Sequence, residues 1–251
     1  MLEVSMCTLH LTRGLVLVAL ALARVGQAQQ APRVTDAVFG DPDPVTPEVT
    51  TEQLQRILSE GRVPVLDTRS PQEYAIAHIP GSRNLYEKEL KQVLAAYPDT
   101  TTQLVLYCNG PYCGKSRRLS AELVKHGYTA VRRYQLGMPV WRALGNTVQT
   151  DIAGVRYIYK GDKTAVLVDA RSTDAFQKGS LPGAVHIGPG EAEAANEDGR
   201  LPKGDKGTRV VVFGDTPEQA RTVAAEIAHK AYWNSSYFGG TFRDLAALAR
   251  H

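Results

Sequence analysis

The residues able to do chemistry gather in one stretch, Tyr107-Cys108-Asn109-Gly110-Pro111-Tyr112-Cys113-Gly114-Lys115-Ser116. Cys108 follows a short apolar run, Leu104 to Tyr107, that suits a buried parallel strand. A helical pattern runs from Ser116 to His126, with Leu119, Leu123 and Val124 on one face. A loop curled between a strand end and a helix start aims backbone N–H groups at one point, and the helix N-terminus adds positive partial charge. Lys115 adds a full one. Together these features predict a Cys108 thiol of lowered pKa, nucleophilic near neutral pH.

Other chemistries fit the stretch less well. A free cysteine is often a core residue, but a position just after a strand and before Gly-Pro and a helix favours reactivity. A metal site at Cys108 and Cys113 needs further ligands, and His78 and His126 lack ligand spacing. A phosphatase built on such a loop needs Arg six residues after the cysteine, where Gly114 stands. Cys113 is either a resolving thiol that closes onto Cys108 and protects it from overoxidation, or a loop residue with no partner.

A duplicated scaffold positions the loop. Val65-Leu66-Asp67-Thr68-Arg69-Ser70 and the later His78-Ile79-Pro80-Gly81 return, without a gap and at an offset of 102, as Leu167-Val168-Asp169-Ala170-Arg171-Ser172 and Ser180-Leu181-Pro182-Gly183. A repeat of this length is a duplicated domain. In the first copy helices are predicted over Glu52–Ser59, Gln72–Ala77 and Lys88–Ala96, and strands over Val63–Leu66 and Val131–Tyr134. In the second, strands are predicted at Ala165–Val168 and Val210–Phe213 and a helix at Pro217–Lys230, with Pro at its first turn. Val155–Tyr159 reads as strand-like, Glu191–Gly207 as an exposed loop, and the first helix has no clear counterpart. Trp141 and Trp233 read as core. Alternating strands and helices predict an α/β fold in which each copy is a parallel sheet with helices on both faces. The expected organisation is a signal peptide over 1–28, a linker over 29–47, a catalytic domain over 48–150 and a second domain over 151–251.

The strand-Cys-loop-helix unit, the Asp67-x-Arg69 strand end, the His78-Ile79-Pro80-Gly81 turn and Leu136-Gly137-Met138-Pro139-Val140-Trp141 together resemble a rhodanese domain, in two tandem copies spanning nearly the whole chain after the leader. The resemblance implies a sulfurtransferase in which Cys108 takes a sulfane sulfur as a persulfide, cradled by the loop Asn109, Gly110, Pro111, Tyr112, Cys113, Gly114, Lys115 and Ser116, with Lys115 drawing in an anionic donor such as thiosulfate. It implies mostly structural roles for Asp67, Arg69 and His78. The chemistry asks for no cofactor: a thiolate attacks the outer sulfur, sulfite leaves, and cyanide or a thiol, a protein thiol among them, collects the sulfur. The first loop is two residues longer than its counterpart, since Tyr107 aligns with Phe213 but Leu123 with Ile227. A wider cradle leaves donors beyond thiosulfate open. In the second copy Gly214 stands in place of Cys108, with Asp215 and Glu218 near it, which predicts an inactive domain that covers the cleft beside Cys108.

The first thirty residues differ from the rest. Arg13 precedes an apolar run, Leu15–Ala23, too short to span a bilayer as a helix, and Gly26-Gln27-Ala28 offers small residues to a signal peptidase. This predicts an exported, periplasmic protein cleaved after Ala28, losing Cys7 and keeping no stable membrane insertion. The formal net charge of +3, with Lys and Arg spread along the chain, argues against nucleic acid as a partner. Two other readings stay open: a persulfide or thiol-disulfide relay with another protein, and a non-catalytic binding module.

Overall fold

The computed structural model describes residues 33–246; the predicted signal peptide, Cys7, His10 and His251 lie outside them. From Val34 onward the chain forms one compact unit. Its first half contains α1 (Thr51–Glu60), β1 (Val65–Asp67), α2 (Pro71–Ile76), β2 (Arg83–Asn84), α3 (Leu90–Ala96), β3 (Leu104–Tyr107), α4 (Lys115–Lys125), β4 (Val131–Tyr134) and α5 (Gly137–Ala143). The second half contains β5 (Gln149–Thr150), α6 (Ile152–Gly161), β6 (Val166–Asp169), α7 (Thr173–Gln177), β7 (Val185–His186), α8 (Ala192–Asp198), β8 (Val210–Phe213), α9 (Pro217–His229), β9 (Ser235–Phe238) and α10 (Phe242–Ala246). The two sheets are all parallel, in the orders β2-β1-β3-β4 and β5-β9-β8-β6-β7.

Each sheet is buried on both faces, as its apolar strands require. Val105 and Tyr107 of β3 point into one cluster with Leu54, Val65, Tyr134 and Trp141, while Leu104 and Leu106 point into another with Leu119, Leu123 and Val93. In β8 the same alternation sends Val210 and Val212 one way and Val211 and Phe213 the other. Local signals set the helix ends. Thr50 caps α1 in a reciprocal box with Gln53, Gly61 closes it in the left-handed conformation, and Ser70 caps α2 in a box with Glu73, with Pro71 in the first turn.

Three expectations are corrected. Val155–Tyr159 is not a strand but the body of α6, the counterpart of α1: Val155 and Ile158, three residues apart, are buried on one face, and this packing overrides the strand propensity of β-branched and aromatic residues. Glu191–Gly207 is not a bare loop: α8 buries Ala192 and Ala195, stops at Gly199 with φ 90°, and the chain then buries Leu201. Trp141 is core, but Trp233 is 55% exposed.

The copies join through α2 and α6. The Asp151 N–H donates to Ala75 O (2.8 Å), the Thr150 hydroxyl to Ile76 O (2.9 Å), and His78 and Gln149 exchange two backbone bonds of 2.9 Å. A Cβ on Gly154 would overlap the Ala75 carbonyl. Replacing Gly154 by Ala is therefore expected to cost about 1–3 kcal/mol by overpacking this junction. Urea unfolding checks it, and an unchanged midpoint would contradict it.

Candidate active-site loop

Cys108 sits at the carboxyl end of β3, a central strand, where parallel α/β folds place ligands. Its carbonyl accepts the Met138 N–H at 3.1 Å, and a Cβ on Gly137 (φ 62°) would collide with that carbonyl and with the Gly110 nitrogen. The loop turns on Gly110 (φ 122°), whose carbonyl accepts the Cys113 N–H at 2.9 Å, and enters α4 through Gly114. The Pro111 carbonyl accepts from the Gln135 side chain at 2.7 Å. Tyr112 is 94% exposed at the loop tip and meets Phe39 edge-on, with ring centroids 5.6 Å apart.

The sulfur environment differs from the expectation. Cys108 is 1% exposed, and its thiol donates to the Cys113 carbonyl at 3.1 Å. The Ser116 hydroxyl lies 3.4 Å from Sγ and also reaches Gln135 Oε1 at 3.4 Å. Burial, followed by the neighbouring Cys113 thiol, pushes the thiol pKa up to about 11, against the Ser116 hydroxyl and N–H, which favour the thiolate. The predicted lowering is thus overturned: one helix-end amide and one hydroxyl do not offset desolvation plus a second thiol beside the sulfur. Cys108 and Cys113 are both free thiols.

Nor does Lys115 stand free beside the sulfur. Its Nζ pairs with Glu73 Oε2 at 2.8 Å, so the two charges largely cancel. Glu73 ends a chain of bonds that ties the loop to β1. Asp67 holds Arg69, with Nη2 to Oδ2 at 2.5 Å; Arg69 Nη1 donates to Asn109 Oδ1 at 3.2 Å; Asn109 Nδ2 donates to Glu73 Oε1 at 2.5 Å. Burial opposes the Glu73 charge, but bonds from Lys115, Ser70 and Asn109 outweigh it and hold the carboxyl down at about 2. Burial likewise opposes the Arg69 charge, and the Asp67 carboxylate outweighs it, raising the guanidinium pKa.

Glu73, Gln135 and Phe39 were not singled out in the sequence. Glu73 had a signal, the Ser70-x-x-Glu73 capping box, which marks a helix start and conceals a second role. Gln135 and Phe39 had none, since only the fold brings them to the loop. Residues from the predicted linker reach it: Phe39 meets Tyr112, Asp41 pairs with Arg117 and the buried Arg133 (3.4 Å each), and Asp43 O accepts from Arg117. The second copy meets the first at α2, through α6, and at Arg142 of α5, which donates to the Trp233 and Ser235 carbonyls.

The two strand ends are built alike. Asp169 holds Arg171 in the same fork, and Arg171 Nη2 reaches Gly179 O at 2.6 Å as Arg69 Nη2 reaches Ala77 O at 2.6 Å. The Phe242 N–H bonds Gly214 O at 2.7 Å, where Met138 bonds Cys108 O. In the second copy, however, Ala175 replaces Glu73, and the Phe242 ring lies 3.5 Å from the Arg171 guanidinium. Among the described residues, no group of three or more His, Cys, Asp or Glu could hold a metal ion, and no helix is long and apolar enough to cross a membrane.

Comparison with known proteins gives a family profile, the Rhodanese-like domain, that matches residues 50–144 and 158–246. The chain is 33% identical over 96 residues to the thiosulfate sulfurtransferase GlpE of Ectopseudomonas mendocina, covering 38% of this chain and 84% of the relative. It is 32% identical over 108 residues to an HTH-type transcriptional regulator of Mycobacterium tuberculosis, covering 43% of this chain and 46% of the regulator. A solved thiosulfate sulfurtransferase from Pseudomonas aeruginosa is 20% identical, with a TM-score of 0.36, over 78% of this chain and 41% of that one.

Proposed function

The chain belongs to the rhodanese-like domain family, and from that premise we propose that it is a sulfurtransferase whose first domain carries sulfur on Cys108. The observation that supports this best is the position of Cys108 Sγ, at the end of a central parallel strand and against the first turn of α4, facing the Ser116 N–H and hydroxyl. The Cys108 thiolate attacks the outer sulfur of thiosulfate or a similar anionic donor. The donor's S–S bond breaks, its electron pair leaves with sulfite, and a Cys108 persulfide remains. Cyanide or a thiolate then attacks the outer sulfur, and the Cys108 thiolate returns. In this reading Ser116 and the amides at the start of α4 hold the anionic sulfur. The second domain carries no nucleophile at Gly214, and the Phe242 ring over Arg171 fills the matching corner.

The high thiol pKa gives this reading a pH signature. Near pH 7 only about one Cys108 in 10⁴ is a thiolate, given a thiol that titrates near 11. Single-turnover loading by thiosulfate, followed by sulfite release, is expected to rise about tenfold per pH unit from 7 and to bend only toward 11. A bend at or below 7 would contradict a buried neutral thiol. Stability runs the other way. The folded chain keeps the Cys108 proton to about 11 while the unfolded thiol releases it near 9.0, so this contribution is lost as pH climbs through that window.

We also propose export, on the leader read over residues 1–28. N-terminal sequencing of protein made in a bacterial host should find Gln29 first in the periplasmic fraction. An intact Met1 in the cytoplasm would end this part of the reading.

A further inference from the structure

Cys113 closes the loop back onto Cys108. Its carbonyl accepts the Cys108 thiol at 3.1 Å, and the turn from Gly110 O to the Cys113 N–H fixes that approach. The two sulfurs differ in access: Cys108 is buried and Cys113 partly exposed. The two thiols are close enough to act on each other, since the Cys113 side chain helps push the Cys108 thiol up. No disulfide engages either cysteine, and four residues lie between them, enough for a small ring.

We propose that Cys113 is an internal acceptor that discharges the Cys108 persulfide as hydrogen sulfide; this rests on the sulfurtransferase reading above. The Cys113 thiolate attacks Cys108 Sγ, the inner sulfur. An Sγ–Sγ bond forms, the bond from Sγ to the outer sulfur breaks, and its electron pair leaves with the outer sulfur, which takes the Cys113 proton and departs as hydrosulfide. The sulfane sulfur is reduced to sulfide, and the two cysteines are oxidised to a disulfide. An external thiol, entering at the partly exposed Cys113 side, reduces that disulfide and resets the loop. The sum over one cycle is thiosulfate plus two thiols giving sulfite, hydrogen sulfide and one external disulfide. The protein is then a thiol-dependent source of sulfide as well as a carrier of sulfane sulfur.

The test uses the reduced full chain, mixed with excess thiosulfate in the absence of any other thiol. The wild-type chain should release one sulfite and one sulfide, and a peptide map should find Cys108 linked to Cys113. Cys113→Ser should release one sulfite and no sulfide, and should keep the extra sulfur on Cys108. Sulfite without sulfide from the wild type, with the sulfur left on Cys108 or moved to Cys113, would overturn this proposal and leave the sulfurtransferase reading intact. No sulfite from either protein would overturn both.

Discussion

Replacing Cys108 by Ser is expected to reduce sulfur transfer from thiosulfate to cyanide by at least about 10³-fold, because the covalent carrier is lost and a hydroxyl does not take a sulfane sulfur. The fold should survive. A serine hydroxyl fills nearly the same volume and can donate to the Cys113 carbonyl that now takes the thiol proton. Thiocyanate formation and urea unfolding, run on the same preparation, separate the two effects. Retention of a tenth or more of the activity with a normal unfolding midpoint would place the sulfur carrier elsewhere, and Cys113 would be the next residue to replace.

The second large effect falls on stability. Asp67 is fully buried and takes three side-chain bonds from Arg69, itself 5% exposed. Asp67→Ala leaves a buried guanidinium with carbonyl and amide partners but no counter-charge. Loss of one partner of such a pair typically costs about 3–5 kcal/mol. The loss should also loosen the loop, because Arg69 holds Asn109, and Asn109 holds Glu73 and through it Lys115. Asp169→Ala breaks the same fork in the second copy and should destabilise comparably without touching that chain of bonds. Denaturant unfolding of the two variants, with thiosulfate loading measured on each while still folded, checks the argument. A cost below about 1 kcal/mol for Asp67→Ala would contradict it.

Much of this architecture can be read from the chain before any coordinates. Leu104–Tyr107, Val131–Tyr134 and Val210–Phe213 are strands at the predicted bounds; the first and last are four consecutive apolar or aromatic residues between turn signals, which have few other uses in an α/β chain, while Val131–Tyr134 carries two arginines between its apolar ends. The duplication is legible because Asp67 and Arg69 recur as Asp169 and Arg171, and the fold uses both pairs alike. Pairs of residues such as Arg83–Asn84 and Val185–His186 carry no periodicity, so β2 and β7 emerge only from pairing with their neighbours. Alpha6 was misread because Val155, Tyr157 and Tyr159 alternate like a strand, while the residues that decide, Val155 and Ile158, follow a helical spacing.

The site was legible in its members more than in its electrostatics. Sequence placed Cys108 between a strand and a helix. It could not show that Glu73, from a different helix, would neutralise Lys115, or that the Cys113 carbonyl would face the sulfur. Charge counted along the chain is not charge at the atom, because partners arrive from α2 and from residues 39–43 ahead of the first sheet. The corner therefore holds a buried, protonated thiol.

The most direct test is the stoichiometry of a single loading event. The reduced full chain, given excess thiosulfate with no acceptor present, should release one sulfite per chain, and Cys108→Ser should release none. Equal sulfite release from both proteins, or none from the wild type even at pH 10, would contradict the assignment of the sulfur carrier to Cys108.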